Sequence, residues 1–544
     1  MVLTVALITI IVSIICIYLW TIKNRYSYFK HRGILGPPHH FLFGHYKTLW
    51  STKSFSKQIQ EWTRQYGSIY GLFLGRRPMY VVSDVDFLQE VYIKQFSSFH
   101  SRAIPRIFRI ETDGKIHLFR ANGETWRRQR HVINPTFSSS KLKSMTSLVN
   151  KCITALLNKI SQITDDKQKE TNIYELYKRL TMDVICKIID FSYKCPINNL
   201  FFLGRCAFGI DTDMQNDINN PYLQKLAVLF KTDVDDLLLF RLANLIPFLA
   251  RPLHDIVFGL ENVRETLVKL LPVLNDYIAE IPALWLMNRV QGVVDVRIQS
   301  SSTSTKRTDL LQLMMEATRD NMTDPIDDQS MTKTLRPNEL IPNVFLFMAA
   351  GYETTSTALA YSTYILATKQ DIQEKIVEEI KNSSWNQNNN EEEAYEIATN
   401  LSYLDLFARE VLRMYPITSK AMIRECNTTT TIGGHTIEKG SVIQPDVFTI
   451  HYNPDLWGPE DPNTFYPERH LVKRHPVAWM PFGVGSRNCV GMRFALMELK
   501  LCLIHLLNQY RILPTDKTEK GFKLEERVVI QPDAIFVKLE KRLI

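Results

Sequence analysis

Apolar residues recur at helical spacing through most of the chain, and this pattern dominates from about Ser54 onward. Side chains three and four positions apart share one face of a helix, so such spacing indicates helices with one buried face. Short β-type runs are few and include Met79 to Val82 and Val442 to Ile443. The pattern therefore predicts a mainly α body with small β-sheets.

The longest uncharged stretch, Val2 to Ile22, precedes this body. As a helix it would be about 31 Å long, which matches a bilayer core of about 30 Å. No Lys or Arg precedes it, whereas Lys23 and Arg25 follow, so the positive-inside bias places the body in the cytosol. A cleaved signal peptide is the alternative, but the sequence after the stretch has no small-residue cleavage site. We predict a single-pass transmembrane helix over residues 1–22.

Residues 23–50 are basic and rich in Pro and Gly, with Gly36, Pro37 and Pro38 close together. Such residues stop helices and stiffen a connection, so we predict a hinge here. We assign residues 51–544 to one large domain. Polar stretches that start at Ser300 and Asn382 are predicted to be surface loops.

Composition and charge narrow the class of protein. Of the 544 residues 45% are hydrophobic, and the net charge of +8 suits an acidic partner or an anionic membrane surface. Because this charge is spread along the chain, we expect no nucleic-acid partner. The eight cysteines include no CxxC pair, which argues against zinc ribbons and ferredoxin-type clusters.

The stretch Leu237 to Leu260 is unusually apolar, but charged residues such as Arg241 and Arg251 interrupt it. It is too broken to span a bilayer. It either dips into the membrane interface or is a buried helix.

Residues 482–491 read FGVGSRNCVG and give Cys489 a setting that suits a metal-bound thiolate. Gly485 and Gly491 allow turns and close approaches that a side chain would block. Phe482 would shield the sulfur from water. Arg487 offers a fork of donors to a buried carboxylate.

This loop matches FxxGxRxCxG and resembles the haem-thiolate loop of the cytochrome P-450 family. SRNCVGMRFALMELK and GETWRRQRHVINPTFSSSKLKSM resemble the clan that contains the vertebrate family-three drug oxidisers and thromboxane synthase. The resemblance implies the cytochrome P-450 fold and heme b with Cys489 as the axial thiolate ligand. A thiolate favours cleavage of the O–O bond of dioxygen more than imidazole or thioether ligands do.

FMAAGYETTS, residues 347–356, resembles the oxygen-activating helix of the same family. Gly351 would leave room for dioxygen, and Glu353 and Thr354 would relay protons to it. Alternatively, Thr354 and Thr355 bond back to carbonyls of their own helix. Pro342 lacks a backbone donor, so we expect the helix to start late or to kink.

GETWRRQRH matches the family's WxxxR, in which Trp126 and Arg130 donate to a haem propionate. Arg102 and Arg424 are weaker propionate candidates. Arg127 and Arg128 would point elsewhere and could meet an acidic electron donor.

Glu410 and Arg413 form an ExxR pair that is followed by Arg469 in FYPERH. In the family these three residues form a buried charge network behind the haem. His470 replaces the usual aromatic residue and leaves the local packing open. Four other ExxR pairs, with glutamates at 61, 124, 261 and 316, are expected to lie on solvated helix faces.

The resemblance implies a monooxygenase that inserts one atom of dioxygen into a lipophilic substrate. Its electrons would come from an NADPH-dependent flavoprotein reductase, with a b-type cytochrome as an optional second donor, at the endoplasmic reticulum membrane. Lys420 would meet an acidic substrate or point to solvent. The predicted contacts of the substrate pocket are Ala349, Ala350, Ile417 and Met422.

Three alternatives remain open. A fatty-acid peroxide isomerase or dehydratase on the same fold would need neither reductase nor proton relay. A non-catalytic haem sensor and a membrane-tethered helical scaffold are the others.

Overall fold

The computed structural model describes residues 2–110, 114–164, 170–189, 213–300, 310–319, 334–386 and 390–542. These residues are mainly helical with small sheets, which confirms the predicted fold class. The α-helices are α1 (Val2–Arg25), α2 (Tyr46–Ser51), α3 (Phe55–Tyr66), α4 (Val85–Gln89), α5 (Gly123–Ile133), α6 (Ser139–Thr164), α7 (Ile173–Ile189), α8 (Pro221–Lys231), α9 (Leu238–Leu245), α10 (Ala250–Leu270), α11 (Pro282–Ser300), α12 (Leu310–Arg319), α13 (Pro337–Thr368), α14 (Gln370–Asn382), α15 (Glu391–Asn400), α16 (Ser402–Met414), α17 (Val447–His451), α18 (Pro454–Trp457), α19 (Met492–Gln509) and α20 (Asp516–Glu519).

The strands within the described ranges are short and form four small sheets. They are β1 (Ile69–Leu74), β2 (Arg77–Val82), β3 (Thr171–Asn172), β4 (Arg424–Glu425), β5 (Thr430–Ile432), β6 (His435–Ile437), β7 (Val442–Pro445), β8 (Tyr510–Leu513), β9 (Leu524–Glu526), β10 (Ile530–Pro532) and β11 (Phe536–Lys541). The sheet orders are β1-β2-β7-β4, β3-β11-β8, β5-β6 and β9-β10.

The two β-type runs of the sequence become neighbouring strands. Met79 of β2 lies opposite Val442 of β7, and Tyr80 lies opposite Ile443, in a parallel pairing. All four side chains are buried. Burial on both faces explains why these runs are continuously apolar rather than alternating.

Helix α13 runs through the main hydrophobic core and packs against α7, α11, α16 and α19. It begins at Pro337 and includes Pro342, so of the two predicted alternatives, a late start or a kink, the late start is wrong. Pro337 occupies the first turn, where a missing N–H is tolerated. The carboxylate of Glu339 accepts the backbone N–H of Arg336 at 3.0 Å and caps the helix.

The acidic end of the second predicted loop is helical, which corrects that prediction. Asn390 caps α15 because its side chain accepts the N–H of Glu393 at 2.9 Å, and the Glu393 carboxylate accepts the N–H of Asn390 at 3.2 Å. Acidic residues in a first turn are favoured by the helix dipole. Residues 301–309 of the other predicted loop, and 387–389 of this one, lie outside the described residues.

Helix α1 exposes its apolar side chains and is a candidate membrane span by length and composition. The residues after it pack directly onto the β1-β2-β7-β4 sheet. Phe29 is buried against Phe73 and Tyr80, and Arg32 pairs with Glu438. This part of the segment assigned to a hinge therefore lies fixed against the sheet.

The apolar stretch Leu237 to Leu260 forms α9, a single 3₁₀ turn and the first half of α10. Phe240 and Ala243 are buried in a small cluster with Ile107, whereas Leu238 and Phe248 are 68% and 70% exposed. The stretch is therefore not simply a buried helix.

Helix α10 is inverted in polarity. Its apolar residues Leu260, Val263 and Leu270 are exposed, whereas Glu261 and Arg264 are buried and paired at 2.9 Å. This buried pair corrects the expectation that the Glu261 ExxR motif is a solvated helix face. The outer face thus exposes these apolar side chains beside charged ones such as Arg251, Asp255 and Lys269.

Candidate active site

The Cys489 loop is a tight turn that leads into α19. The Cys489 N–H donates to the carbonyl of Phe482 at 2.8 Å, and the Asn488 N–H donates to that of Gly485 at 3.0 Å. Gly485 has a φ of 72°, and a Cβ there would overlap the carbonyl oxygen of Tyr92. Glycine is therefore needed at 485 on both backbone and steric grounds. Gly491 caps α19.

Cys489 opens into a cavity whose walls are mostly apolar. Helix α13 contributes Ala350, Gly351, Thr354 and Thr355 to these walls. The remaining lining residues are Arg102, Leu118, Phe119, Trp126, Arg130, Phe137, Met145, Ile185, Leu310, Leu346, Phe347, Arg487, Asn488, Val490, Gly491, Phe494 and Ala495. The apolar lining is that of a site for a lipophilic molecule.

Four arginines cluster beside Cys489: Arg102, Arg130, Arg424 and Arg487. The hydrogen-bond acceptors that they meet in the described chain are backbone carbonyls and Asn side chains, never a carboxylate. Burial and the neighbouring arginines Arg424 and Arg130 lower the pKa of Arg487 to about 9. Its Nε and Nη1 atoms have no hydrogen-bond partner among the described residues. Such a cluster requires anions from outside the chain.

These residues fit a haem. A haem is a flat apolar ring with an iron and two carboxylates, and the cavity offers apolar walls, a thiol and buried guanidinium groups. Burial raises the pKa of Cys489, while the Gly491 N–H, Arg130 and Arg102 favour its thiolate. A ferric or ferrous ion would favour the same ionised form.

Trp126 and Arg130 lie on the same face of α5, as their spacing predicts, and both line the cavity. The Arg487 guanidinium lies 4.6 Å from the centre of the Trp126 ring. Arg130 donates to the carbonyl and the side-chain oxygen of Asn488, both at 2.8 Å. The sequence did not single out Asn488, and its only signal was its place next to the cysteine.

Thr354 lines the cavity, and its hydroxyl donates to the Ala350 carbonyl at 2.7 Å. The Thr354 hydroxyl thus bonds back to its own helix, as the alternative interpretation predicts, and it also reaches the cavity. Glu353 is buried outside the lining and accepts the Tyr174 hydroxyl at 2.6 Å.

Gly351 also lines the cavity, but its neighbour on the other helix constrains it. A Cβ at 351 would lie 2.7 Å from Cδ1 of Ile185 in α7. Because Cδ1 is the end of a flexible side chain, the packing of α13 on α7 favours glycine at 351 but does not require it.

Glu410, Arg413 and Arg469 come together with no solvent exposure. Arg413 donates to both carboxylate oxygens of Glu410 at 2.8 Å, and Arg469 donates at 2.9 Å. His470 lies 3.0 Å from the same carboxylate and packs on the ring of Trp457. His470 thus joins the network instead of disturbing the packing. Burial would raise the pKa of Glu410, but the hydrogen bonds from Arg413 and His470 hold it at about 2.

Two basic residues differ from expectation. Arg128 donates to the buried carboxylate of Glu339 at 2.8 Å, so it does not face an electron donor as predicted, whereas Arg127 is exposed. Lys420 pairs with Asp233 at 3.2 Å and is held by the protein. These partners lie far away in the sequence, so local patterns could not reveal them.

Of the predicted pocket residues, Ala350 lines the cavity and Ala349, Ile417 and Met422 do not. Met422 is buried in the core beside the β1-β2-β7-β4 sheet, and the Ile417 carbonyl accepts the Ile530 N–H. Phe482 packs on Trp479 outside the lining. The aromatic walls that the sequence did not identify are Phe119, Phe137, Phe347 and Phe494.

Fold and site together define a mainly helical haem-thiolate enzyme. The family model described as "Cytochrome P450" matches residues 35–199 and 197–539. The chain belongs to the cytochrome P450 family. It is 30% identical to the Caenorhabditis elegans protein named "Putative cytochrome P450 CYP13A2" over 98% of each chain. It is also 30% identical to "Putative cytochrome P450 CYP13A4" of the same organism over 96% of each chain. Family membership makes it a haem monooxygenase with iron as its metal.

Proposed function

We propose that this chain is a membrane-bound monooxygenase that oxidises a lipophilic substrate with electrons from an NADPH-dependent flavoprotein reductase. One observation carries the proposal: a thiol, a cluster of buried arginines and the Thr354 hydroxyl meet at one apolar cavity. A peroxide isomerase needs no such hydroxyl. Phe119, Phe347 and Ala350 would exclude water and hold the substrate.

Each polar group at the cavity has a proposed role. Cys489 would bind the iron through its thiolate, and Trp126 with Arg102, Arg130 and Arg487 would hold the propionates from the cavity wall. Arg424 would add its charge from behind Arg487. The bound haem supplies the activation of dioxygen. Thr354 holds a proton at Oγ1 within reach of the cavity, and Glu353 supplies protons from behind it.

The full-length, haem-loaded chain, reconstituted with a flavoprotein reductase under ¹⁸O₂, tests this function. Dodecanoic acid and testosterone serve as lipophilic probes. We expect NADPH-dependent products that contain one ¹⁸O atom. We also expect Thr354→Ala to raise the ratio of hydrogen peroxide released to NADPH consumed several-fold, because the proton at Oγ1 is lost.

Thr368→Ala is the matched control for this variant. Thr368 lies on the same helix, and its hydroxyl donates to the Tyr364 carbonyl one turn earlier at 2.9 Å. It does not line the cavity. Its peroxide ratio should equal that of the wild type. Turnover of a fatty-acid hydroperoxide without NADPH, together with no reductase-dependent product, would favour the isomerase instead.

Membrane binding is supported by the surface next to α1. The Arg76 guanidinium lies 5.0 Å from the Tyr18 ring of α1, and Gly75 beside it approaches the backbone of Asn244 in α9. The end of the anchor, the β1–β2 turn and α9 are therefore neighbours. The exposed side chains of α9 and α10 extend this region and favour the interfacial interpretation of residues 237–260.

Deletion of residues 2–22 should leave the protein bound to lipid vesicles. The further changes Leu238→Glu, Phe248→Glu and Leu260→Glu should then release it, because they place charges on the exposed apolar face. Flotation with phosphatidylcholine and phosphatidylserine vesicles measures the bound fraction. The control variant carries Leu471→Glu, Val472→Glu and Val528→Glu, which are also exposed. Equal release by both sets would contradict a specific membrane face.

We also propose that the reductase, or a b-type cytochrome, binds near Arg127. This exposed side chain lies on α5, three residues before Arg130, which contacts the Cys489 loop. Acidic partners are steered to such charges. The positive charges in the last turn of α1, Lys23 and Arg25, favour a cytosolic body, in keeping with the endoplasmic reticulum membrane.

A further inference from the structure

The carboxylate of Glu353 is held by α7, on the side of α13 that faces away from the cavity lining. Glu353 Oε1 accepts the Tyr174 hydroxyl at 2.6 Å. The Tyr174 oxygen also lies 2.9 Å from Thr357 Oγ1, one turn further along α13. The Tyr174 side chain is buried and thus bridges two residues of the helix that carries Thr354.

Lys178, one turn further along α7, connects this carboxylate with the surface. Its Nζ lies 3.7 Å from Glu353 Oε1 and 3.3 Å from Glu175 Oε1, and it lies over the Tyr174 ring at 4.1 Å. The Lys178 side chain is 16% exposed and that of Glu175 is 50% exposed. Side chains spaced three or four residues apart on α7 therefore lead from water to the buried carboxylate.

The electrostatic balance at Glu353 depends on the same residues. Burial raises the pKa of Glu353, whereas the charge of Lys178 and the hydrogen bond from Tyr174 lower it, and Glu175 raises it. The phenol of Tyr352 on the same helix also faces this site, and burial keeps it un-ionised by raising its pKa. Loss of either Tyr174 or Lys178 removes a group that favours the ionised carboxylate.

We propose that Tyr174 is a positioning residue that fixes the Glu353 carboxylate, and that Lys178 connects this carboxylate with solvent, so that α7 forms the outer part of the proton path. The proposal rests on the proposed function of Glu353 and Thr354. Tyr174 keeps its own proton and acts by orienting the carboxylate. A proton that Lys178 gives to Glu353 is replaced from water, so charge is balanced.

Tyr177 provides a matched control on the same helix. It is buried, and its hydroxyl lies 2.7 Å from Thr363 Oγ1 of α13, just as Tyr174 meets Thr357. Of these two phenols, only that of Tyr174 also donates a hydrogen bond to Glu353 in the described chain. Tyr174→Phe and Tyr177→Phe therefore remove the same group from similar surroundings.

Infrared spectroscopy of the full-length, haem-loaded protein in detergent gives a readout that is independent of turnover. The C=O band that is present in the wild type and absent from Glu353→Gln belongs to the protonated Glu353 carboxyl. We expect Tyr174→Phe to move the pH midpoint of this band upward by roughly one unit, since a donor to the ionised form is lost. Lys178→Met should also move it upward, and Lys178→Arg should restore it. Tyr177→Phe should leave the midpoint unchanged.

Turnover separates this inference from the function on which it rests. Tyr174→Phe should raise the peroxide-to-NADPH ratio several-fold, whereas Tyr177→Phe should not. Thr354→Ala should raise the ratio without moving the infrared midpoint. An unchanged midpoint in Tyr174→Phe, or an equal shift in Tyr177→Phe, would overturn the role of Tyr174. An unchanged ratio in Thr354→Ala would overturn the relay itself, whatever the infrared result.

Discussion

Replacement of Cys489 by Ser is expected to abolish the red-shifted absorption band of the reduced, carbon-monoxide-treated protein, together with all reductase-supported turnover. An alcohol does not ionise at neutral pH and is a poor ligand for iron, whereas the Gly491 N–H and the nearby Arg130 and Arg102 favour a thiolate at this position. The absorption spectrum of the wild type and the variant measures this directly. A band at an unshifted, imidazole-like position in the wild type would refute the ligand assignment.

Cys426→Ser is the control for this experiment. Cys426 is buried and donates through Sγ to the Thr428 carbonyl, a bond that serine can also make. Because Cys426 lies outside the cavity lining, the absorption band should persist. Loss of the band in both variants would point to general unfolding instead of a lost ligand.

The second large effect is expected for Glu410→Gln. This change leaves Arg413 and Arg469 buried without their shared carboxylate, and such a broken buried pair costs about 3–5 kcal/mol. The midpoint of urea unfolding, followed by tryptophan fluorescence, should fall accordingly. The contribution of Glu410 is present above the pKa of an unfolded glutamate, about 4.3, and is lost as the pH falls through about 2. The variant should therefore lack that part of the acid dependence.

Glu61→Gln is the matched control. Glu61 belongs to the same ExxR pattern, but it pairs with Arg64 at 3.4 Å and both side chains are exposed. Exposed substitutions usually change stability by less than about 0.5 kcal/mol. A similar loss of stability in both variants would show that the buried network does not contribute in the way described.

The sequence predicted those parts of the site that depend on residues close together in the chain. The turn at Gly485 and the common face of Trp126 and Arg130 depend on neighbours within a few residues, and the structure shows both. The partner of Arg128 could not be predicted this way, because Glu339 is 211 residues away and competes with solvent for the guanidinium. Whether a charged side chain is exposed or buried therefore depends on partners that are distant in the sequence.

The pocket shows the same limit. Ala349 and Ala350 were both predicted, but adjacent residues of a helix face different ways, and only Ala350 lines the cavity. Ile417 and Met422 lie after a helix, where the path of the chain depends on packing. The sequence pattern also did not reveal the inverted polarity of α10. Its charges suggested a solvated face, but Glu261 and Arg264 satisfy each other inside the protein.

The packing of residues 22–35 onto the sheet has a mechanical consequence. Ile22 and Phe29 are buried, and the Gly71 N–H donates to the Leu35 carbonyl at 2.8 Å, so little slack separates the anchor from the enzyme. A flexible Gly/Ser tether of n residues would instead have a root-mean-square end-to-end distance of about 5–6 Å × √n. In the proposed membrane-bound state, this rigid joint would fix the height and tilt of the cavity relative to the bilayer.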